Sequence, residues 1–213
     1  MKPLYFILCL LLIPALACST AGIAEGLVPS GGVLYQDYFS NTQSGWDSYN
    51  GPAGTAAYIN DAYHLIVNQA NVNWWAHPGK MFSAVHEEVS IMPVGGPQSN
   101  RMGLICRLKD EKNFYFFVIS ADGYYGIGKM KDGAASLLTN NEMQPSDTIL
   151  TGAQENRLRA DCVGSVLSLY VNNVKIASAS DSDFSSGDVG ILAGSFDKPG
   201  SDVYFDNFIV YKP

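Results

Sequence analysis

Charge is scarce in this chain. Asp, Glu, Lys and Arg together make up 15% of its 213 residues, and 20 acidic residues outnumber 13 basic ones. A net charge of -7 offers no positive field to a phosphate backbone, so nucleic acid is excluded as an expected partner. Histidine is rarer still: His64, His77 and His86 lie far from any distinctive serine or cysteine setting, and no Gly-x-Ser-x-Gly occurs. No Cys-x-x-Cys is found, so zinc and thioredoxin-type chemistry lack their ligand spacing. Helical periodicity is missing too, since no segment sustains an i, i+3, i+4, i+7 stripe over three turns. What is plentiful is apolar and aromatic: 47% hydrophobic and 12% aromatic residues support a packed core, and the length suits one domain.

The first residues read as an export signal. Lys2 supplies a positive charge and Leu4 to Leu16 is an almost unbroken apolar run, short of the roughly 20 residues a spanning helix needs. Its end, Ala15-Leu16-Ala17-Cys18, reads as an A-x-A cleavage site and also resembles a bacterial lipobox, in which Cys18 becomes the lipidated first residue. Residues 1–17 are therefore expected to be a signal peptide, and residues 18–33 an anchor cysteine with a flexible tether rich in small residues, Gly and Pro. The expected location is outside the cell, tethered or secreted, with membrane contact only through a lipid on Cys18. With Cys9 removed and Cys18 lipidated, Cys106 and Cys162 remain as a pair within apolar segments, expected to bridge in an oxidising exterior.

From about residue 34 to 213 the chain consists of short segments rich in β-branched and aromatic residues, punctuated by Asn-Asp, Asp-Gly, Gly-Pro and Pro-Gly. Strands are expected on both sides of Asn60-Asp61, over Val85–Met92, Arg101–Leu108, Asn113–Ser120, Tyr124–Lys131, Asn156–Cys162, Val166–Val171, Val174–Ala179, Val189–Ala193 and Asp202–Tyr211. About a dozen short strands point to an all-β fold, a two-sheet antiparallel β-sandwich of the jelly-roll kind.

Several stretches carry a resemblance. YQDYFS followed by Ser44-Gly45-Trp46, then GLICRLKDEKNFYFFVISADGYYGIGK, NRLRADCVG with LYVNN, and the closing GDVGILAGSF with VYFDNFIVY resemble bacterial extracytoplasmic modules of the concanavalin A-like lectin/glucanase superfamily. The resemblance runs from about residue 34 to 211. It implies a jelly roll whose first and last strands pair, placing Tyr38-Phe39 beside Phe205–Phe208. It is less specific for activity, because the superfamily includes lectins, laminin-G-like modules, glycoside hydrolases and keto-disaccharide hydrolases.

A glucanase of this superfamily would need a Glu-x-Asp-x-Glu or Glu-x-Asp-x-x-Glu strand to set nucleophile and acid on one face. The chain has neither; adjacent Glu87 and Glu88 point to opposite faces and read as a solvated strand end. No cofactor is expected. Asp181, Asp183 and Asp188 lack the spacing of a calcium loop, although calcium at other loop carboxylates stays open by the laminin-G-like resemblance.

Strand faces carry the remaining signal. A two-residue turn at Asp122-Gly123 would set Tyr115, Phe117 and Ile119 with Met130, Gly128 and Gly126 in the core. The other face would then gather Phe116, Tyr125 and Lys129 with Arg107, Arg159 and Asp161 of neighbouring segments, a mixture of rings and directed polar groups suited to a sugar. Of Trp74-Trp75, Trp75 is expected to face outward in step with His77. The expectation is a non-catalytic carbohydrate-binding module with Trp75, His77, Arg107, Phe116, Tyr125, Lys129, Arg159 and Asp161 as ligand residues. A glycoside or keto-disaccharide hydrolase using Asp161, Glu111 or His77 is the alternative, and a structural or protein-interaction sandwich the third reading.

Overall fold

The alternating sequence folds into strands that leave the chain almost no helix, as a computed structural model shows for residues 27–213. The export signal and Cys18 lie outside the described residues. In chain order the strands are β1 (Val33–Asp37), β2 (Tyr49–Gly51), β3 (Gly54–Ile59), β4 (Ala62–Val67), β5 (Asn73–Ala76), β6 (Val85–Gly95), β7 (Asn100–Asp110) and β8 (Asn113–Ile119). They continue as β9 (Tyr124–Lys131), β10 (Ala134–Leu137), β11 (Gln144–Pro145), β12 (Asn156–Val163), β13 (Val166–Val171), β14 (Val174–Ser180), β15 (Asp188–Ser195) and β16 (Ser201–Tyr211).

Two antiparallel sheets face each other in a jelly-roll β-sandwich. The first runs β14-β13-β12-β6-β16-β4-β3-β2 with β1 also on β16; the second runs β10-β9-β8-β7-β15-β5 with β11 on β9. Two-residue hairpins fall where paired residues accept positive φ: Asn60 and Asp61 (54° and 58°) between β3 and β4, Asp132 and Gly133 (51° and 82°) between β9 and β10, and Asn172 and Asn173 (49° and 69°) between β13 and β14. The first and last strands pair, Asp37 opposite Phe208 and Tyr35 opposite Val210. The opening motif then closes one end of the core: Phe39 and Trp46 pack on each other 5.1 Å apart, and Trp46 stands edge-on to Phe208 at 5.0 Å. The Trp46 indole N–H donates to Asp37 Oδ2 at 2.9 Å, so its buried polar end is satisfied.

Inward residues alternate as the pleat requires: Leu158, Ala160 and Cys162 of β12 meet Met102, Leu104 and Cys106 of β7 across the core. Cys106 and Cys162 form a disulfide with Cα atoms 6.7 Å apart, which ties the two sheets together.

One register differs from the sequence reading. Ile119 lies opposite Tyr125, Phe117 opposite Ile127 and Phe116 opposite Gly128, one residue off the expected pairing. The turn takes three residues, Ala121 to Gly123, because Ser120 rather than Ala121 closes the hairpin, donating its N–H to the Tyr124 carbonyl at 2.8 Å. The Ser120 hydroxyl holds Asp122 inside the loop, Gly123 takes the left-handed φ of 95°, and the buried Asn100 side chain accepts the Ala121 N–H at 2.9 Å. A slip of one residue turns every β9 side chain over. Tyr125 and Ile127 therefore pack toward the core, and Gly126, Gly128 and Met130 face outward.

Candidate functional site

The outward face of the second sheet carries its own apolar layer: Ile105, Leu108, Phe114, Val118 and Leu192, with Trp75, Phe116, Met130 and Met143 packed on it. Glycines shape this face. The Phe116 ring lies across Gly128, where a Cβ would sit 2.2 Å from Phe116 Cζ, and a Cβ on Gly126 would meet Leu137 Cδ2 at 2.9 Å. These bare positions let the chain between β10 and β11 settle against the sheet. The result is a groove of about 420 Å³, within the size range of small-molecule sites.

Val118, Leu192 and Phe116 give the groove an apolar base, Asn140, Asn141 and Met143 line it from the β10–β11 connection, and Asn73, Arg101 and Phe196 line it from the opposite side. Arg101, Gly194 and Asn73 lie side by side on β7, β15 and β5. Gly194 has to be bare here, because a Cβ would come within 2.1 Å of Asn73 Oδ1. Across that gap Arg101 Nη1 donates to Asn73 Oδ1 at 2.6 Å, while the guanidinium carbon sits 4.0 Å from the centre of the Phe196 ring. Burial lowers the Arg101 pKa, and no carboxylate lines the groove among the described residues. Ring faces, amides and one guanidinium can stack on a sugar ring and hydrogen-bond its substituents.

The structure divides the residues expected to form the site. Phe116 lines the groove, and Trp75 lies on the same sheet face, with its ring 5.1 Å from that of Phe114. Trp74 turns the other way, onto the core and Tyr49. Tyr125, Lys129, Arg107, Arg159 and Asp161 do not join Phe116 on that face. Tyr125 and Lys129 are turned away by the β9 register; Lys129 pairs with Asp181 and Asp183. Arg107 sits at a bulge with φ of 52°, which points its side chain between the sheets, where Nη1 donates to the Phe184 carbonyl at 2.8 Å. Arg159 and Asp161 belong to the first sheet, where they form a two-point ion pair of 2.7 and 2.9 Å and Arg159 lies over Tyr170. The single face collecting all of them fails on strand order, because β12 and β8 lie in different layers.

His77 stands beyond Trp75, where a Cβ on outward-facing Gly190 would meet its Cβ at 3.3 Å. Its Nδ1 lies 2.7 Å from Asp188 Oδ2, and its backbone N–H donates to Asp47 Oδ2 at 2.9 Å. Asp188 Oδ1 also accepts the Lys80 N–H at 2.7 Å, so this carboxylate fastens the chain that follows β5. The hydrogen bond to Asp188 holds the His77 pKa above 6.5 against the opposing effect of burial, with help from Asp47 and, through space, Glu111. A raised folded pKa stabilises the protein fully below the ordinary histidine value, and that contribution is lost as pH rises through the folded one. An NMR titration is expected to place the His77 midpoint above 6.5, and Asp188→Asn is expected to bring it down; an unchanged midpoint would dissociate the pair.

Asp181 and Asp183, which invited a calcium reading, are engaged by Lys129, and Asp181 also accepts the Tyr115 hydroxyl at 2.6 Å. Arg101, Asn73 and Phe196 were not singled out from the sequence. Arg101 opens an expected strand, but its partners come from β5 and from beyond β15, which only the sheet order brings together.

No protein-family model matches the chain, and no curated protein matches it. Among solved structures, the carbohydrate-binding module CBM66 from Bacillus subtilis superposes with a TM-score of 0.63 at 22% identity, covering 79% of this chain and 96% of that one. A Bacillus subtilis protein of unknown function with a galectin-like fold matches with a TM-score of 0.63 at 13% identity, over 86% of this chain and 97% of that one. A Bacteroides ovatus mixed-linkage glucan GH16 protein matches with a TM-score of 0.59 at 11% identity, over 84% of this chain and 100% of that one. At these identities the likeness establishes the fold.

Proposed function

We propose that the chain is an exported, lipid-anchored, non-catalytic carbohydrate-binding module that takes its glycan in the groove on the outward face of the second sheet. The observation that carries this reading is the groove's lining: the rings of Phe116 and Phe196, the amides of Asn73, Asn140 and Asn141, and Arg101, with no Asp or Glu among them. A retaining or inverting hydrolase needs two carboxyl groups flanking the scissile bond, and the described residues of this groove offer none. The apolar run before Cys18 and the small-residue tether after it support export and anchoring, and the Cys106–Cys162 bond suits an oxidising compartment. Carbohydrate-binding and glycan-hydrolysing proteins among the structural neighbours agree with a sugar ligand.

The test is binding of the full chain to a broad glycan panel, compared with Phe116→Ala and Phe196→Ala. Loss of one stacking ring is expected to weaken binding about tenfold, with the melting temperature of Phe196→Ala nearly unchanged. A well-folded chain that binds no glycan would favour the protein-interaction reading. Turnover of sugars in the same incubations would favour the hydrolase, with His77 between Asp47 and Asp188 as the first residue to replace.

A further inference from the structure

Lys129 faces Asp181 and Asp183, Lys131 faces Asp183, Arg157 faces Glu88 and Arg159 faces Asp161. Arg107 is enclosed between the sheets on main-chain carbonyls. Arg101 differs from all of these. It is half-buried, it opens on the groove, and its partners are the neutral Asn73 amide and, at 3.4 Å, the Ser195 carbonyl. Its Nε, like that of the enclosed Arg107, is buried without a hydrogen-bond partner, but Arg101 alone of the two opens on the groove.

A guanidinium stays charged at any ordinary pH, and one taken partly out of water without a counter-charge is costly unless an anion completes it. Phe196 beneath the guanidinium and Asn73 beside it fix the plane of the fork before any ligand arrives. A prepositioned planar fork matches a carboxylate, which accepts two parallel N–H bonds. The Asn140 and Asn141 amides reach the groove from the other side, where they can meet hydroxyls.

Resting on the carbohydrate-binding reading above, we propose that the ligand is an acidic saccharide, a glycan bearing the carboxylate of a uronic acid, with that carboxylate held by Arg101. The protein's net charge of -7 sharpens the requirement. An acidic glycan is repelled by the surface at large, so binding depends on this one cation, and rising salt weakens it less steeply than it would at a broad basic patch.

The test titrates the full chain with a panel of uronate oligosaccharides, with the methyl esters of the same oligomers, with neutral hexose oligomers and with sulfated ones. The acids are expected to bind about thirtyfold more tightly than their esters, the size of a charge-assisted hydrogen-bond pair lost. Arg101→Met is expected to erase that preference and Arg101→Lys to keep part of it. Comparing acid with ester on the unaltered protein needs no variant, so the result stands even if Arg101→Met folds poorly. Equal binding of acid, ester and neutral oligomers would overturn the acidic ligand while leaving the glycan reading in place. Tight binding of sulfated oligomers alone would overturn the carboxylate. No binding to any glycan by the folded chain would remove both readings together.

Discussion

Replacing Cys106 and Cys162 by alanine is expected to destabilise the protein by about 4 kcal/mol, measured as a lower urea midpoint and a melting temperature down by roughly 10 °C. The bond closes a span of 56 residues, and constraining a loop of that length removes much of the freedom the unfolded chain would otherwise regain. It also joins β7 in one sheet to β12 in the other, so it is a crosslink between layers that meet through side-chain packing and a few hydrogen bonds such as Arg107 Nη2 to the Cys162 carbonyl. Both cysteines are fully buried in the core cluster, and trimming them to alanine adds the loss of packed sulfur to the loss of the crosslink. The same burial predicts kinetics: a thiol reductant is expected to leave the native bond intact until the sandwich opens, so reduction should follow the unfolding rate. A double variant within 1 kcal/mol of the parent would mean that the two layers hold together without the link.

Much of this architecture was legible because the information is local. Asn60-Asp61 and Asn172-Asn173 sit between alternating apolar runs, and a two-residue primed turn is what such pairs specify. The β7 and β12 faces also follow from alternation, and both cysteines, expected within apolar segments, point into the core from them. Asp122-Gly123 carries the same kind of signal and misleads, because Asn100, some twenty residues earlier, takes the Ala121 N–H and favours the longer turn. The longer turn, held also by the Ser120 and Gln98 contacts, decides which side of the sheet Tyr125 and Lys129 occupy. Arg107 escapes for a related reason: its bulge breaks the alternation on which its outward position depended. The groove was harder still to see. Phe116 was named, but Arg101, Asn73 and Phe196 converge only through the β7-β15-β5 strand order, which no short-range pattern encodes.

Glu87 shows how a correct rule about faces can hide a large energy. Adjacent glutamates on a strand do point opposite ways, and Glu88 reaches the outer face to pair with Arg157. Glu87, opposite Ala160 in β12, goes inward instead of to solvent. It is fully buried, and neither carboxyl oxygen has a hydrogen-bond partner. Its Oε atoms lie near the Cys106 and Cys162 sulfurs, which are already bonded to each other. Burial raises its pKa well above 4.5, and the negative fields of Asp188 on β15 and Asp161 on β12 push it further in the same direction. A raised folded pKa gives stability that is intact below the unfolded value and declines as pH climbs toward the folded one, by at most about 1.4 kcal/mol per pH unit. Glu87→Leu is therefore expected to be more stable than the parent by about 3 kcal/mol at pH 8, with the gap narrowing as pH falls toward 4. Glu87→Gln removes the charge but keeps an unpaired polar group, so it is expected to share the flattened pH dependence and gain less. Urea unfolding of the three proteins from pH 4 to pH 9 reads the differences directly, and subtracting the parent's curve cancels the other titrating groups. A Glu87→Leu variant that loses stability across the whole range would instead mean that the carboxyl is paired in solution and supports the core it sits in.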